Sequence, residues 1–118
     1  KNYKDRIFIP MLKLDLFSSI LNNINIVIGN SSCGIVECAS FSLPVVNIGS
    51  RQNGKLIPKN VIISKTDYKN VLYSTNLGLS DKFKKTIKFM SNPYFKNKFD
   101  ISKLIKTLNT NKSLLIKK

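Results

Sequence analysis

The sequence predicts an α/β protein, a small parallel sheet flanked by helices with further helices toward the C-terminus. Three observations carry that prediction. Two short β-branched runs, "INIVIG" and "LPVVNIG", are separated by one short helical stretch, and a third, "VIIS", follows a polar loop. Beyond Thr66 the apolar spacing becomes helical. Strands alternating with helices build parallel sheets, because parallel neighbours need a long crossover that is usually a helix.

Each element has its own local reason. "RIFIP", Arg6 to Pro10, reads as a short strand ended by proline. In the next segment Leu14, Phe17, Ile20 and Leu21 share one helical face, which predicts a helix over 13–23. "INIVIG" has the composition of a strand buried on both faces. "SSCGIVECASF" follows as a short helix with a serine at its start. "LPVVNIG" is a second buried strand, "SRQNGKLIPKN" a polar loop and "VIIS" a third strand. Thr66 and Asp67 open one helix, and Ser80 and Asp81 open the next. "NPYF" interrupts, and "DISKLIKTLN" resumes with Ile101, Leu104, Ile105 and Leu108 on one face. The tail "TNKSLLIKK" is expected to fray.

At 118 residues the chain is one domain at most. It opens on Lys1 and not on methionine, and a sheet of three or four strands is small, so a C-terminal portion of a longer protein is expected. No apolar run approaches the roughly 20 residues that span a bilayer, and "KNYKDRIFIP" does not read as a signal peptide. Histidine is absent, which excludes Ser-His and Cys-His nucleophilic pairs and most zinc chemistry within this chain. Cys33 and Cys38 lie close together on one expected helix, poorly placed for a disulfide and too few for a metal site. A reducing, cytoplasmic compartment is expected. The net charge of +14 comes almost wholly from dispersed lysines, as on a Lys- and Asn-rich solvated surface. It also leaves a nucleic-acid-binding module open.

The chemistry concentrates in "GNSSCGIVE", Gly29 to Glu37. In an open α/β sheet ligands bind at the carboxyl ends of strands, against helix N-termini. There the N–H groups of Ser32, Cys33 and Gly34 are expected to face outward, and the serine hydroxyls can cap the helix or donate to phosphate oxygens. Gly29 and Gly34 would let backbone turn tightly or approach a ligand. A plain N-cap fits these residues as well. A hydrolase nucleophile does not fit, since Gly29 and Gly34 are one residue too far apart for G-x-S-x-G, and no Walker lysine follows. Glu37, the chain's one glutamate, could accept hydrogen bonds from vicinal hydroxyls such as a ribose diol. Arg51, one of two arginines, could pair bidentately with phosphate. Phosphate cup, diol acceptor and guanidinium together describe a nucleoside diphosphate site.

The string "IGNSSCGIVECASFSLPVVNIGSRQNGK" closely resembles the signature of the hydrolysing UDP-N-acetylglucosamine 2-epimerases, with weaker likeness from "FIPMLKLDLF" to the Asn-Pro-Tyr turn of "NPYFKNKFDISKLIKTL". The resemblance implies a Rossmann-like C-terminal half-domain of the glycosyltransferase-B fold. It assigns UDP contacts to Ser31, Ser32, Glu37 and Arg51, and a backbone uracil contact near Ile9; the cup reading adds the N–H of Gly34 to the expected UDP contacts. Relatives that do not hydrolyse carry Asp-Ser-Gly-Gly at the cup, where this chain has Asn-Ser-Ser-Cys-Gly. The family pattern Gly-Asp/Thr-Arg-Gln-x-Gly-Arg is met here with Ser50 and Lys55 as departures.

In that family the C2 proton is removed as UDP leaves C1, and water then adds to the glycal to give N-acetylmannosamine for sialic-acid-type sugars. The implied partners are UDP or UDP-N-acetylglucosamine and a missing N-terminal domain that carries the catalytic groups. No cofactor, metal, membrane or specific nucleic acid is implied, and the full-length protein is expected to form a homo-oligomer. Another UDP-sugar enzyme of the same architecture is the nearest alternative. The basic nucleic-acid module is the other, although no nucleic-acid motif is present and aromatics such as Phe83 and Phe89 have core-like spacing.

Overall fold

The computed structural model describes residues 5–95. Helix α1 (Leu14–Asn23) leads into β1 (Val27–Gly29), and the short helix α2 (Ser32–Ile35) is followed by a 3-10 turn (Cys38–Phe41). Strands β2 (Val45–Ile48) and β3 (Val61–Ser64), helices α3 (Tyr68–Leu79) and α4 (Asp81–Ile87), and a 3-10 turn (Pro93–Phe95) complete the order. The three strands form one parallel sheet in the order β1-β2-β3. The α/β expectation is therefore met. The segment "DISKLIKTLN" and the C-terminal tail lie outside the described residues.

Register explains how the sheet is covered. Val27, Val45 and Val61 align across the strands and so share one face. On that face Val45 packs in a core with Leu21, Cys38 and Leu43, joined by Phe17, Cys33 and Phe41 from α1, α2 and the first 3-10 turn. Ile28, Val46 and Ile62 align on the opposite face. There α3 comes so close that a Cβ on Gly78 would stand 2.8 Å from Ile26 Cδ1 and 3.4 Å from Ile62 Cδ1. Helices on both faces bury β2 completely from Val45 to Asn47.

Four local expectations need correction. Residues 6–9 form no strand, and Ile7 and Phe8 are each 88% exposed: an apolar run becomes a strand only beside a partner edge, and none pairs with it among the described residues. β1 is shorter than "INIVIG" and lies at the edge of the sheet among the described residues, so Ile28 is 47% exposed and not buried on both faces. In α1 Leu21 is buried and Phe17 packs on the core, while Leu14 in the first turn is 79% exposed. Phe83 is half-buried as expected, but Phe89 lies beyond the end of α4 and is exposed, with Lys88 Nζ 5.3 Å from its ring centroid.

The expected helix "SSCGIVECASF" is one path in two geometries. The N–H of Val36 donates to Ser32 O at 2.9 Å and that of Glu37 to Cys33 O at 3.0 Å, which continues α-type bonding past Ile35. From Ser40 N to Glu37 O, at 3.0 Å, the turn tightens, and Ser42 ends it in the left-handed region at φ 48°. α2 lies directly on β2: a Cβ on Gly34 would be 2.9 Å from Val45 Cγ1. Gly34→Ala is therefore expected to destabilise the chain by about 1–3 kcal/mol, read as a lowered urea midpoint.

Candidate functional site

Parallel pairing brings three loops to one edge of the sheet. Asn30 to Ser32 follow β1, Gly49 to Gln52 follow β2, and Lys65 to Asp67 follow β3. Ser31 is the N-cap of α2, its backbone extended at φ −74°, ψ 148° and its hydroxyl accepting from Cys33 N at 3.4 Å. Gly34 N donates to Ser31 O at 3.2 Å. Of the three N–H groups expected to face a ligand, two are thus used within the cap. The Ser32 N–H and hydroxyl have no partner among the described residues, and both serines are exposed. Gly34 is buried by its contact with β2, so its missing side chain serves helix–strand packing.

Gly49 turns the chain out of β2 at φ +75°, with its N–H donating to Ser64 O at 2.8 Å. Asn47, 2% exposed, donates from Nδ2 to Gly49 O at 3.4 Å. Arg51 follows in an exposed turn closed by Asn53 N to Ser50 O at 2.9 Å, and no carboxylate pairs with its guanidinium among the described residues. Beside this turn, Gly49, Ser50, Asn53, Ser64, Lys65, Thr66 and Asp67 line an open cleft of about 700 Å³.

Gln52 links the two loops. It is 3% exposed, and its Nε2 donates to Asn30 O at 2.6 Å. The structure therefore brings the serine loop and the Arg51 turn together, through a residue to which the sequence reading gave no role. Its signals are its place beside Arg51 in "SRQNGK" and its match to the glutamine of the Arg-Gln-x-Gly pattern.

Glu37 is exposed on the turn after α2; its backbone is bonded to Cys33 O and Ser40 N, and its carboxylate has no hydrogen-bond partner among the described residues. Its mooring comes from far along the chain. Asn92 Nδ2 donates to Val36 O and to Ser40 Oγ, both at 2.7 Å, and Asn92 Oδ1 accepts from Tyr94 N at 2.9 Å. The Tyr94 hydroxyl donates to Leu56 O at 2.7 Å. The Asn-Pro-Tyr turn thus fastens the backbone next to Glu37 and the loop beyond Arg51. Ile9 lies in the irregular stretch before α1, and among the described residues no hydrogen bond joins it to the serine or arginine loops.

The sequence profile of the family described as UDP-N-acetylglucosamine 2-epimerase matches residues 1–107. Over 96 residues the chain is 33% identical to the polysialic acid biosynthesis protein P7 of Escherichia coli, covering 81% of this chain and 24% of that protein. Over 56 residues it is 48% identical to the UDP-N,N'-diacetylbacillosamine 2-epimerase (hydrolyzing) of Legionella pneumophila, covering 48% of this chain and 15% of that protein. A third relative, the GDP/UDP-N,N'-diacetylbacillosamine 2-epimerase (hydrolyzing) of Campylobacter jejuni, is 43% identical over 49 residues, covering 42% of this chain and 13% of that protein. The chain spans about a quarter or less of the length of these curated relatives.

Both cysteines are free thiols. Burial, followed by the neighbouring Cys33 and Glu37, pushes the Cys38 thiol up to about 12, whereas Cys33 is partly exposed. Cys38 therefore stays protonated well above neutral pH, and a buried thiol is a poor nucleophile. At pH 8, iodoacetamide is expected to modify Cys33 in the folded chain and Cys38 only after unfolding in urea. Mass spectrometry reads this as one adduct before unfolding and two after.

Proposed function

The chain belongs to the UDP-N-acetylglucosamine 2-epimerase family, and from that premise we propose that it is the UDP-binding, C-terminal portion of a hydrolysing member. One observation carries the reading: the serine loop after β1 and the Arg51 turn after β2 are tied side by side by Gln52 at 2.6 Å. Ser31 and Ser32 offer hydroxyl donors, and Ser32 an N–H, at the spot where Arg51 can bring a planar fork of donors. That combination suits two linked phosphates. Glu37 accepts hydrogen bonds from the ribose hydroxyls, and the stretch around Ile9 supplies the uracil contact once the upstream part of the protein is in place.

In the complete enzyme the C1–oxygen bond to UDP breaks as the C2 proton is removed, giving a glycal and UDP. Water then adds, its hydroxyl to C1 and its proton to C2 on the opposite face, to yield N-acetylmannosamine. This chain's part is to stabilise the charge that develops on the departing diphosphate. Donors fixed before the reaction do so without reorganising. The C2 base belongs to an N-terminal domain outside this chain, so the chain alone binds UDP without turning over the sugar nucleotide. Two relatives are named for diacetylbacillosamine on a nucleoside diphosphate, UDP in one and GDP or UDP in the other. A diphosphate is common to both names, which suits a site on this chain that holds the phosphates and leaves the sugar to the upstream domain. The full-length protein is a cytoplasmic homo-oligomer making sialic-acid-type sugars, and among the described residues no helix is long and apolar enough to cross a membrane.

Arg51→Ala is expected to weaken UDP binding roughly ten- to a hundredfold, since a charge-assisted hydrogen bond contributes about 1.5–3 kcal/mol. Titration calorimetry of the chain with UDP measures it. Equal affinity in the variant removes Arg51 from the site.

A further inference from the structure

Gln52 is an unusual residue to find at the bottom of a polar loop. It is 3% exposed, and the partner of its Nε2, Asn30 O, lies 22 positions earlier in the chain. Its other end, Oε1, is buried with no hydrogen-bond partner among the described residues. A buried acceptor without a donor works against folding. Methionine has nearly the same length and would fill the space with no such atom. Stability therefore does not explain why a glutamine stands here. The bond to Asn30 does.

The two ends of that bond are each one residue from a proposed UDP contact. Asn30 immediately precedes Ser31, and Gln52 immediately follows Arg51. We infer that Gln52 is a positioning residue: the bond from its Nε2 to Asn30 O sets the separation of the serine loop and the Arg51 guanidinium, so that a diphosphate meets both at once. Without it each loop must be ordered by the ligand, and that ordering is subtracted from affinity. This inference rests on the nucleotide reading above and adds to it a residue that touches no ligand.

The test is Gln52→Met in the full chain, with UDP affinity by calorimetry, the urea midpoint, and the same substitution repeated in an Arg51→Ala background. UDP affinity is expected to fall about tenfold (about 1.4 kcal/mol) while the urea midpoint stays the same or rises. In the Arg51→Ala background the loss is expected to shrink below about threefold, because two residues serving one contact are not additive. Gln52→Glu keeps the shape and replaces the donor by a carboxylate oxygen, and it is expected to weaken UDP binding at least as much. Unchanged UDP affinity in both variants overturns the inference. So does a fall in affinity that tracks a lowered urea midpoint and persists in full without Arg51. If the unsubstituted chain does not bind UDP, the nucleotide reading fails first, and the positioning role fails with it.

Discussion

Because β2 pairs in parallel with both neighbours, all three strands end at the same edge, and everything proposed about this chain depends on that. Residues Asn30 and Gln52, far apart in sequence, become neighbours only because β1 and β2 run side by side in register from Val27 and Val45. A parallel pair leaves its loops free at the carboxyl ends, with unpaired backbone donors and short polar side chains. The loop that carries the serines and the turn that carries Arg51 are then joined through Gln52 and Asn30. An antiparallel pairing of the same segments would send those loops to opposite ends.

The sheet edge is useful only if it is rigid, and the packing supplies that. Gly34 lets α2 rest against Val45 at a distance no side chain would allow, so the start of the helix cannot drift from the strand. Asn92 holds the other end of the same helical path through Val36 and Ser40, and Tyr94 fastens Leu56 in the loop that leaves Arg51. These bonds span dozens of residues. They make the Asn-Pro-Tyr turn a brace behind the site.

Much of this was legible from the residues. β2 could be read because its residues Val45, Val46 and Ile48 are β-branched and apolar, as in a strand buried on both faces, with Asn47 the one polar interruption. The Ser80 cap was legible, its side chain accepting from Phe83 N, whereas α3 is capped by Asp67, accepting from Asn70 N, one residue past the expected Thr66. "RIFIP" misled because apolar alternation reports what could pair, not whether an edge is there to pair with. Ile28 misled for a related reason: composition does not distinguish a central strand from an edge strand. Gly34 suggests either a tight turn or room for a ligand, and the structure adds a reason that the sequence does not show, the close approach of Val45. Gln52 was the residue least open to sequence reasoning. A glutamine between arginine and asparagine looks solvated, and its burial follows only from the approach of a loop 22 positions away.

The measurement that tests the central claim most directly is a UDP titration of the isotope-labelled chain followed by amide chemical shifts, with a random oligonucleotide as the control. Saturable shifts confined to the amides of Asn30 to Gly34 and Ser50 to Gln52, and not produced by the oligonucleotide, are the predicted result. A folded spectrum in which UDP moves neither loop, or in which the oligonucleotide moves them more, would contradict a nucleotide site at this edge.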